Sequence, residues 1–134
     1  MPTFQLEIVT PEKTVFSGEV EQVRAPGTEG GFGVLAGHHP MLASLNIGEI
    51  VFSEQQNGPK SVAISGGFAE VQRDRVTVLA ETAEFAQDID VNRAEAARER
   101  AREMLTQKRD QQIDEARANL ALARAINRLR IGAQ

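Results

Sequence analysis

The sequence predicts two bodies: an antiparallel β-sandwich or barrel over residues 1–86, and a two-helix hairpin over residues 87–134. Ten of the eleven glycines and all five prolines lie before Phe68, and no Gly or Pro occurs from Phe68 to Ile131. The charge changes as well. Residues 1–85 carry five Lys/Arg against eleven Asp/Glu, whereas residues 86–134 carry ten against eight. A chain of 134 residues suits one domain, or a small domain with an appended element.

The first body is predicted to consist of short strands. Apolar Phe4, Leu6 and Ile8 have the two-residue period of a half-buried strand, and residues 15–23 keep a mixed form of it. Short β-branched runs follow at residues 50–52, 61–64 and 76–79. Many short strands with frequent turn signals, and no helical pattern between them, are typical of a sandwich or barrel.

From about Asp90 the composition turns to strong helix formers. Apolar residues at helical spacing predict two stripes, which are Ala94, Ala97, Ala101, Met104 and Leu105 on the first helix and Ile113, Ala116, Leu120 and Ala123 on the second. The polar residues 107–112 are the predicted turn. An alanine seam buries little apolar area, and this turn contains no helix breaker. We therefore expect a bistable element, either a hairpin or one continuous helix of roughly 60 Å at 1.5 Å per residue.

Composition argues against several classes of protein. The absence of cysteine excludes disulfides and thiolate chemistry, and a net charge of −4 with no Trp or Tyr argues against nucleic acid as a partner. No export signal and no membrane span are expected. No catalytic constellation can be assembled by spacing, so no catalytic residue is predicted.

The glycine-rich stretch contains Gly31-x-Gly33-x-x-Ala36, which superficially matches a dinucleotide fingerprint. That fingerprint requires a helix opening at the loop, but His38-His39-Pro40 follows in a context of strands. A structural turn is therefore favoured. The two histidines, expected on opposite faces of a strand, lack a third clustered ligand and do not predict a metal site.

Asp90 and Arg93 stand where the first helix is predicted to begin. An aspartate at the N-cap accepts hydrogen bonds from backbone N–H groups of the first turn and complements the helix dipole. At the third helical position, however, capping favours Glu or Gln, and the dipole disfavours a cation. Arg93 therefore indicates a nearby anion, or else a small loss of stability.

Other arginines align with Arg93. Arg100 lies two turns further along the same face, and three arginines of the second helix fall within roughly 40° of one another at 100° per residue, namely Arg117, Arg124 and Arg128. Two interpretations remain open. A closed hairpin brings both rows to one rim, where guanidinium groups hold phosphates or carboxylates. Alternatively, the arginines form a solvated face paired with Glu95, Glu99 and Glu103.

Four motifs then identify a resemblance that covers nearly the whole chain. They are "IVTPEKTVFSGEVEQV", "GGFGVLAGHHPML", "ISGGFAEVQRDRVTVLAE", and "IDVNRAEAARERA" with "LALARAINRL". In order and spacing the chain resembles the epsilon subunits of F-type ATP synthases. It departs from them at Ala36, where proline is usual, and we expect only the turn to change.

The resemblance implies a ten-stranded β-sandwich followed by two helices, in a non-catalytic subunit of the central rotor stalk. Such a subunit contacts the gamma subunit and the c-ring through its sandwich, and the alpha and beta subunits when its helices extend. It participates in coupling proton translocation to ATP synthesis, and the extended form inhibits ATP hydrolysis. The location implied is the cytoplasmic face of the bacterial cell membrane, as a peripheral protein.

The resemblance also implies that ATP binds the folded hairpin as a regulatory ligand and favours it. The positions that match the family's nucleotide motif and its accompanying residues are Glu84, Ile89, Asp90, Arg93, Ala94, Arg100, Arg124 and Arg128. Whether Mg²⁺ accompanies ATP stays open. The alternative is a mechanical and inhibitory stalk subunit that binds no nucleotide, whose arginines meet acidic segments of its partners.

Overall fold

A computed structural model describes residues 2–106 and 112–133, and its internal contacts divide the chain into the units Met1–Phe85 and Ala86–Gln134. The first unit contains eight strands, and the second contains a short 3₁₀ helix, Ala86–Asp88, and two α-helices. The strands are β1 Phe4–Val9, β2 Thr14–Val20, β3 Gln22–Ala25, β4 Phe32–Leu35, β5 Met41–Glu54, β6 Gly58–Val71, β7 Arg75–Ala80 and β8 Ala83–Phe85. The helices are α1 Val91–Thr106 and α2 Gln112–Gly132.

The strands follow the order β2-β1-β7-β6-β5-β3-β4, and β8 pairs with β6. Strands β1 and β7 are parallel, and the other strand pairs among the described residues are antiparallel. The predicted mainly antiparallel β fold is thus confirmed. The parallel pair was not predicted, because periodicity reveals neither strand direction nor which distant strands become neighbours.

The long hairpin of β5 and β6 bends where its ladder is interrupted. Pairing passes from Leu45 and Gly67 directly to Ile47 and Ser65. Between these two pairs, the Gly66 carbonyl accepts a hydrogen bond from the Glu81 N–H at 3.0 Å, so Gly66 bonds to the residue that follows β7 and not to β5. Beyond the bend, one half of β6 pairs with β7 and the other half with β8. If the two halves of β5 and the two halves of β6 are counted as separate strands, the eight strands become the ten that the resemblance implies.

The sheet folds over on itself as a sandwich. Phe16 in β2 and Phe52 in β5 are four places apart in the strand order, roughly 19 Å in a flat sheet at 4.8 Å per strand. Their ring centroids nevertheless lie 4.4 Å apart, and Phe52 also meets Phe85 edge-on at 6.4 Å. The buried core between the layers includes Phe4, Leu6, Ile8, Val20, Ile50, Phe52, Val62, Ile64, Val76 and Val78.

The second unit is the predicted hairpin, in which α1 and α2 pack against each other. A Cβ built on Gly132 would stand 3.0 Å from the Ile89 side chain and 3.3 Å from that of Val91. The end of α2 therefore lies beside the start of α1, and the helices are antiparallel. Of the predicted turn at residues 107–112, residues 107–111 lie outside the described part of the chain, and Gln112 already begins α2. None of the described helices has an apolar run that could cross a bilayer.

The helix–helix seam differs from the predicted stripes. On α1, Ala94 and Ala101 are buried as predicted, but Met104 is 43% exposed. On α2 the predicted face is wrong: Leu120 is 54% exposed, and the buried positions are Ala118, Ala125, Asn127 and Ile131, while Ala116 and Ala123 are also exposed. The Ile113 side chain lies outside the described residues. Aliphatic residues occupy most sides of α2, so the apolar periodicity of its sequence does not single out one face. Alanine is favoured over leucine in the seam because the backbones of α1 and α2 approach each other closely.

Candidate functional site

Asp90 caps α1. Its Oδ1 accepts a hydrogen bond from the backbone N–H of Arg93 at 3.0 Å, and its carbonyl accepts the first helical bond from the N–H of Ala94 at 3.0 Å. On either side of this exposed carboxylate, Ile89 and Ala94 are buried. The predicted N-cap is therefore present. It leaves the Arg93 side chain exposed at the positive end of the helix.

The α1 arginines fall into two groups. Arg98 pairs with Glu95 and, at 3.8 Å, with Glu99, which also pairs with Arg102 at 3.5 Å. Within the described part of the chain, neither Arg93 nor Arg100 forms an ion pair, and the same holds for Arg124 on α2. Glu95 and Glu99 thus neutralise other arginines, and the interpretation of a fully paired face does not fit Arg93 and Arg100.

The seam determines which faces these arginines occupy. Arg93 and Arg100 each precede a buried alanine by one residue, and so lie about 100° from the seam on α1. Arg124 likewise precedes buried Ala125 on α2. Two antiparallel helices are related by an approximate two-fold axis normal to the plane that contains them. Equal rotations from the seam therefore lead to the same face of the hairpin.

The arginines also match in height along the helices. Gly132 lies beside residues 89–91, and both helices rise by the same distance per residue. Counting back along α2 places Arg128 level with residues 93–95 and Arg124 level with residues 97–99. The hairpin consequently brings Arg93 and Arg128 together at one level, with Arg124 about one turn and Arg100 about two turns away along the helices. We call these four residues the arginine face.

The remaining predicted site residues have other surroundings. Ile89 and Ala94 are buried, so their side chains contribute packing beneath the arginine face. Glu84 lies on β8 opposite Ala63 in the first unit and is half-buried. Seven of the eight predicted residues therefore lie in the second unit, and Glu84 lies in the first.

The glycine-rich stretch contains the structural turn that was predicted, which connects β3 to β4. Strand β4 pairs with β3 through Gly33 and Arg24, and no described helix opens at this loop. The histidines correct a prediction: instead of pointing to opposite faces, the rings of His38 and His39 stack with centroids 4.4 Å apart. The reason is that both residues lie in a loop after β4 and not in a strand. No metal-binding cluster of three His, Cys, Asp or Glu occurs among the described residues.

Sequence patterns missed the buried alanines of α2. Ala118 and Ala125 are seven residues apart, as are Ala94 and Ala101 on α1. The predicted stripe also contained two alanines seven residues apart, Ala116 and Ala123, so this spacing alone could not identify the seam. The larger apolar residues Ile113 and Leu120 led to the choice of the wrong alanine pair.

Comparison with known proteins assigns the family. Residues 3–86 match the family model described as ATP synthase, Delta/Epsilon chain, beta-sandwich domain. Residues 87–132 match the model described as ATP synthase, Delta/Epsilon chain, long alpha-helix domain. The chain belongs to the epsilon-chain family of F-type ATP synthases. The resemblance seen in the sequence is thereby confirmed, and the chain is a stalk subunit of that complex.

Bacterial relatives match over almost their full length. The "ATP synthase epsilon chain" of Nitratidesulfovibrio vulgaris (strain DP4) is 50% identical over 130 residues, covering 96% of this chain and 95% of the relative. That of Syntrophomonas wolfei subsp. wolfei is 48% identical over 128 residues, covering 96% and 93%. That of Syntrophobacter fumaroxidans is 51% identical over 127 residues, covering 95% and 93%.

Solved structures support the fold. A chain in the cryo-EM structure of Euglena gracilis mitochondrial ATP synthase, OSCP/F1/c-ring, superposes with a TM-score of 0.78 at 24% identity, covering 92% of this chain and 78% of that chain. A chain in the central stalk/c-ring structure of Tetrahymena thermophila mitochondrial ATP synthase gives 0.56 at 12% identity, covering 98% and 95%. At these identities the likeness concerns the fold alone.

Proposed function

We propose that this stalk subunit couples proton translocation to ATP synthesis, and that its helices inhibit ATP hydrolysis when they leave the hairpin. ATP is a regulatory ligand that binds the arginine face and favours the closed hairpin. The chain itself is non-catalytic and works peripherally at the cytoplasmic face of the bacterial membrane. The observation that carries the nucleotide part is that three arginines of this face, Arg93, Arg100 and Arg124, have no acidic partner among the described residues.

The charges explain why a ligand would shift the helices. Guanidinium groups that face one another without counter-ions repel, and this repulsion opposes closure of the alanine seam. A triphosphate between them replaces repulsion by charge-assisted, forked hydrogen bonds. Arg93 and Arg100 meet Arg124 only when the helices fold together, so the ligand has differential affinity for the two states, as any conformational shift requires.

Calorimetric titration of the full chain with ATP tests this proposal. Arg93→Ala, Arg100→Ala and Arg124→Ala should each weaken binding by about tenfold or more, since a charge-assisted hydrogen bond contributes about 1.5–3 kcal/mol. Arg102→Ala is the matched control, because Arg102 lies on the same helix but pairs with Glu99. Retained affinity in Arg93→Ala, or an equal loss in Arg102→Ala, would contradict the site. Titrations with and without Mg²⁺ decide whether the metal accompanies ATP.

We propose that an exposed apolar surface of the sandwich contacts the gamma subunit and the c-ring. On adjacent strands β6 and β7, Phe68 and Leu79 are paired and each 53% exposed, and Leu42 on β5 is 72% exposed. Exposed large apolar side chains on adjacent strands are typical of a protein interface. Phe68→Glu should abolish co-purification with the gamma subunit and c-ring while leaving the chain folded by circular dichroism. Unchanged assembly would reject this surface.

The alternative is a mechanical and inhibitory subunit without nucleotide binding. It is favoured by Leu120 and Ile126, which are 54% and 45% exposed on α2 and offer apolar contact to the alpha and beta subunits in an extended state. The arginines would then meet acidic partner segments. Absence of heat with ATP at millimolar concentration, together with ATP-independent inhibition of hydrolysis, would favour this function.

A further inference from the structure

At the open end of the hairpin, Gly132 packs closely against Ile89. Gly132 is the last residue of α2, and Ile89 immediately precedes the N-cap of α1. A Cβ added to Gly132 would stand 3.0 Å from Ile89 Cγ2 and 3.3 Å from both Ile89 Cβ and Val91 Cγ2. Contacts of that length require the Ile89 and Val91 side chains to give way by a few tenths of an ångström, so a side chain at Gly132 would overpack the closed hairpin.

The backbone does not require this glycine. Gly132 lies within the helix and is not among the glycines with positive φ. Glycine is also the poorest helix former apart from proline, so a residue with a side chain would suit α2 better on its own. Close packing against Ile89 therefore accounts for Gly132, where helical conformation does not.

We infer that the Gly132–Ile89 contact is a clasp that sets how readily the hairpin opens, and that both are positioning residues for the arginine face. The connecting residues already tie the other end of the helices covalently, whereas this end is held by noncovalent contacts. Along the seam the buried α1 positions are alanines, which bury little area, whereas Ile89 is a large side chain and 8% exposed. The clasp lies at the level of Asp90 and Arg93, so opening it separates Arg93 from Arg128.

The test measures opening without ATP. The chain has no cysteine, so the thiol of an Ala101→Cys variant is unique, and it replaces a residue 2% exposed in the seam. Its reaction with a thiol reagent requires opening, and the rate follows the opening equilibrium. Adding Gly132→Ala should raise the labelling rate roughly fivefold to tenfold, as overpacking does. An unchanged or lower rate overturns the clasp, because alanine's better helix propensity alone would slow labelling.

A second substitution identifies the contact responsible. Ile89→Leu removes the Cγ2 methyl that a Cβ on Gly132 would meet. In the Ile89→Leu background, Gly132→Ala should therefore change the labelling rate by less than about twofold. The same increase with either residue at position 89 would show that Ile89 is not the partner. Ala123→Val adds bulk to exposed α2 surface, and an Ala96→Cys thiol on exposed α1 surface monitors reagent reactivity. Neither control should respond.

ATP then separates this inference from the proposed function, on which the positioning role rests. If ATP binds the closed hairpin, it slows labelling of the Ala101→Cys variant, and Gly132→Ala weakens apparent ATP affinity by the factor by which it lowers the closed population. If ATP has no effect but Gly132→Ala still accelerates labelling, the clasp stands and the nucleotide proposal fails. If ATP slows labelling and Gly132→Ala does not accelerate it, the nucleotide proposal stands and the clasp fails.

Discussion

Asp90 and Arg93 are linked by a hydrogen bond of 3.0 Å from the Arg93 backbone N–H to the Asp90 carboxylate, while the Arg93 guanidinium lies exposed. One side chain begins the helix, and the other presents a cation at the end where the helix dipole is positive. Capping explains Asp90 without a ligand, but it does not explain Arg93. The two residues therefore make separable predictions.

Asp90→Ala should destabilise the start of α1 by about 1 kcal/mol, whereas Asp90→Asn should cost only a few tenths, because asparagine caps about as well. Hydrogen exchange at the Arg93 amide measures the difference directly. ATP affinity should follow the same order if Asp90 acts mainly as a cap. A large loss of affinity in Asp90→Asn with normal exchange at Arg93 would instead show that its charge contacts the ligand.

The position of the helix seam can be tested with two alanines on α2. Ala125 is 1% exposed and Ala123 is exposed. Ala125→Leu should overpack the seam and destabilise the closed hairpin by about 1–3 kcal/mol, whereas Ala123→Leu should be nearly neutral. The rates of thiol labelling of the Ala101→Cys variant, with and without each substitution, give the change in the opening equilibrium. A larger effect at Ala123 would restore the face predicted from the sequence.

The fold of the sandwich depends on Phe52, which is fully buried between Phe16 and Phe85. Phe52→Ala should lower the free energy of unfolding by about 3–5 kcal/mol, because it removes ring contacts and leaves a cavity. Phe68→Ala is the matched control, since Phe68 is 53% exposed and its loss should cost less than about 1 kcal/mol. Urea unfolding monitored by circular dichroism compares the two.

Gly67 is required by close approach and by backbone conformation together. A Cβ there would lie 2.0 Å from the Leu79 carbonyl oxygen, and φ is +148°. Gly67→Ala should destabilise the sandwich by about 3 kcal/mol or more, since backbone cannot yield as a flexible side chain can. At Gly31 a Cβ would meet its nearest heavy atom at 3.7 Å, so Gly31→Ala should be tolerated. Equal urea midpoints for the two variants would contradict the steric account.

The sequence by itself determined the division into a β-rich body and two helices, because glycine and proline placement and apolar periodicity are local properties. Those signals also marked Phe4, Leu6 and Ile8 as core, Asp90 as the cap and Arg93 as a cation that its helix position does not explain. Only the tertiary structure decided the strand order, the parallel pairing of β1 with β7 and the α2 face that meets α1, since each depends on contacts between distant residues. The predicted stripe and the predicted common rim were inconsistent, because with Ala116 and Leu120 in the seam the arginines of the two helices would lie on opposite faces. The buried pair Ala118 and Ala125 instead places them together, because a rotation of one helix about its axis moves every side chain on it.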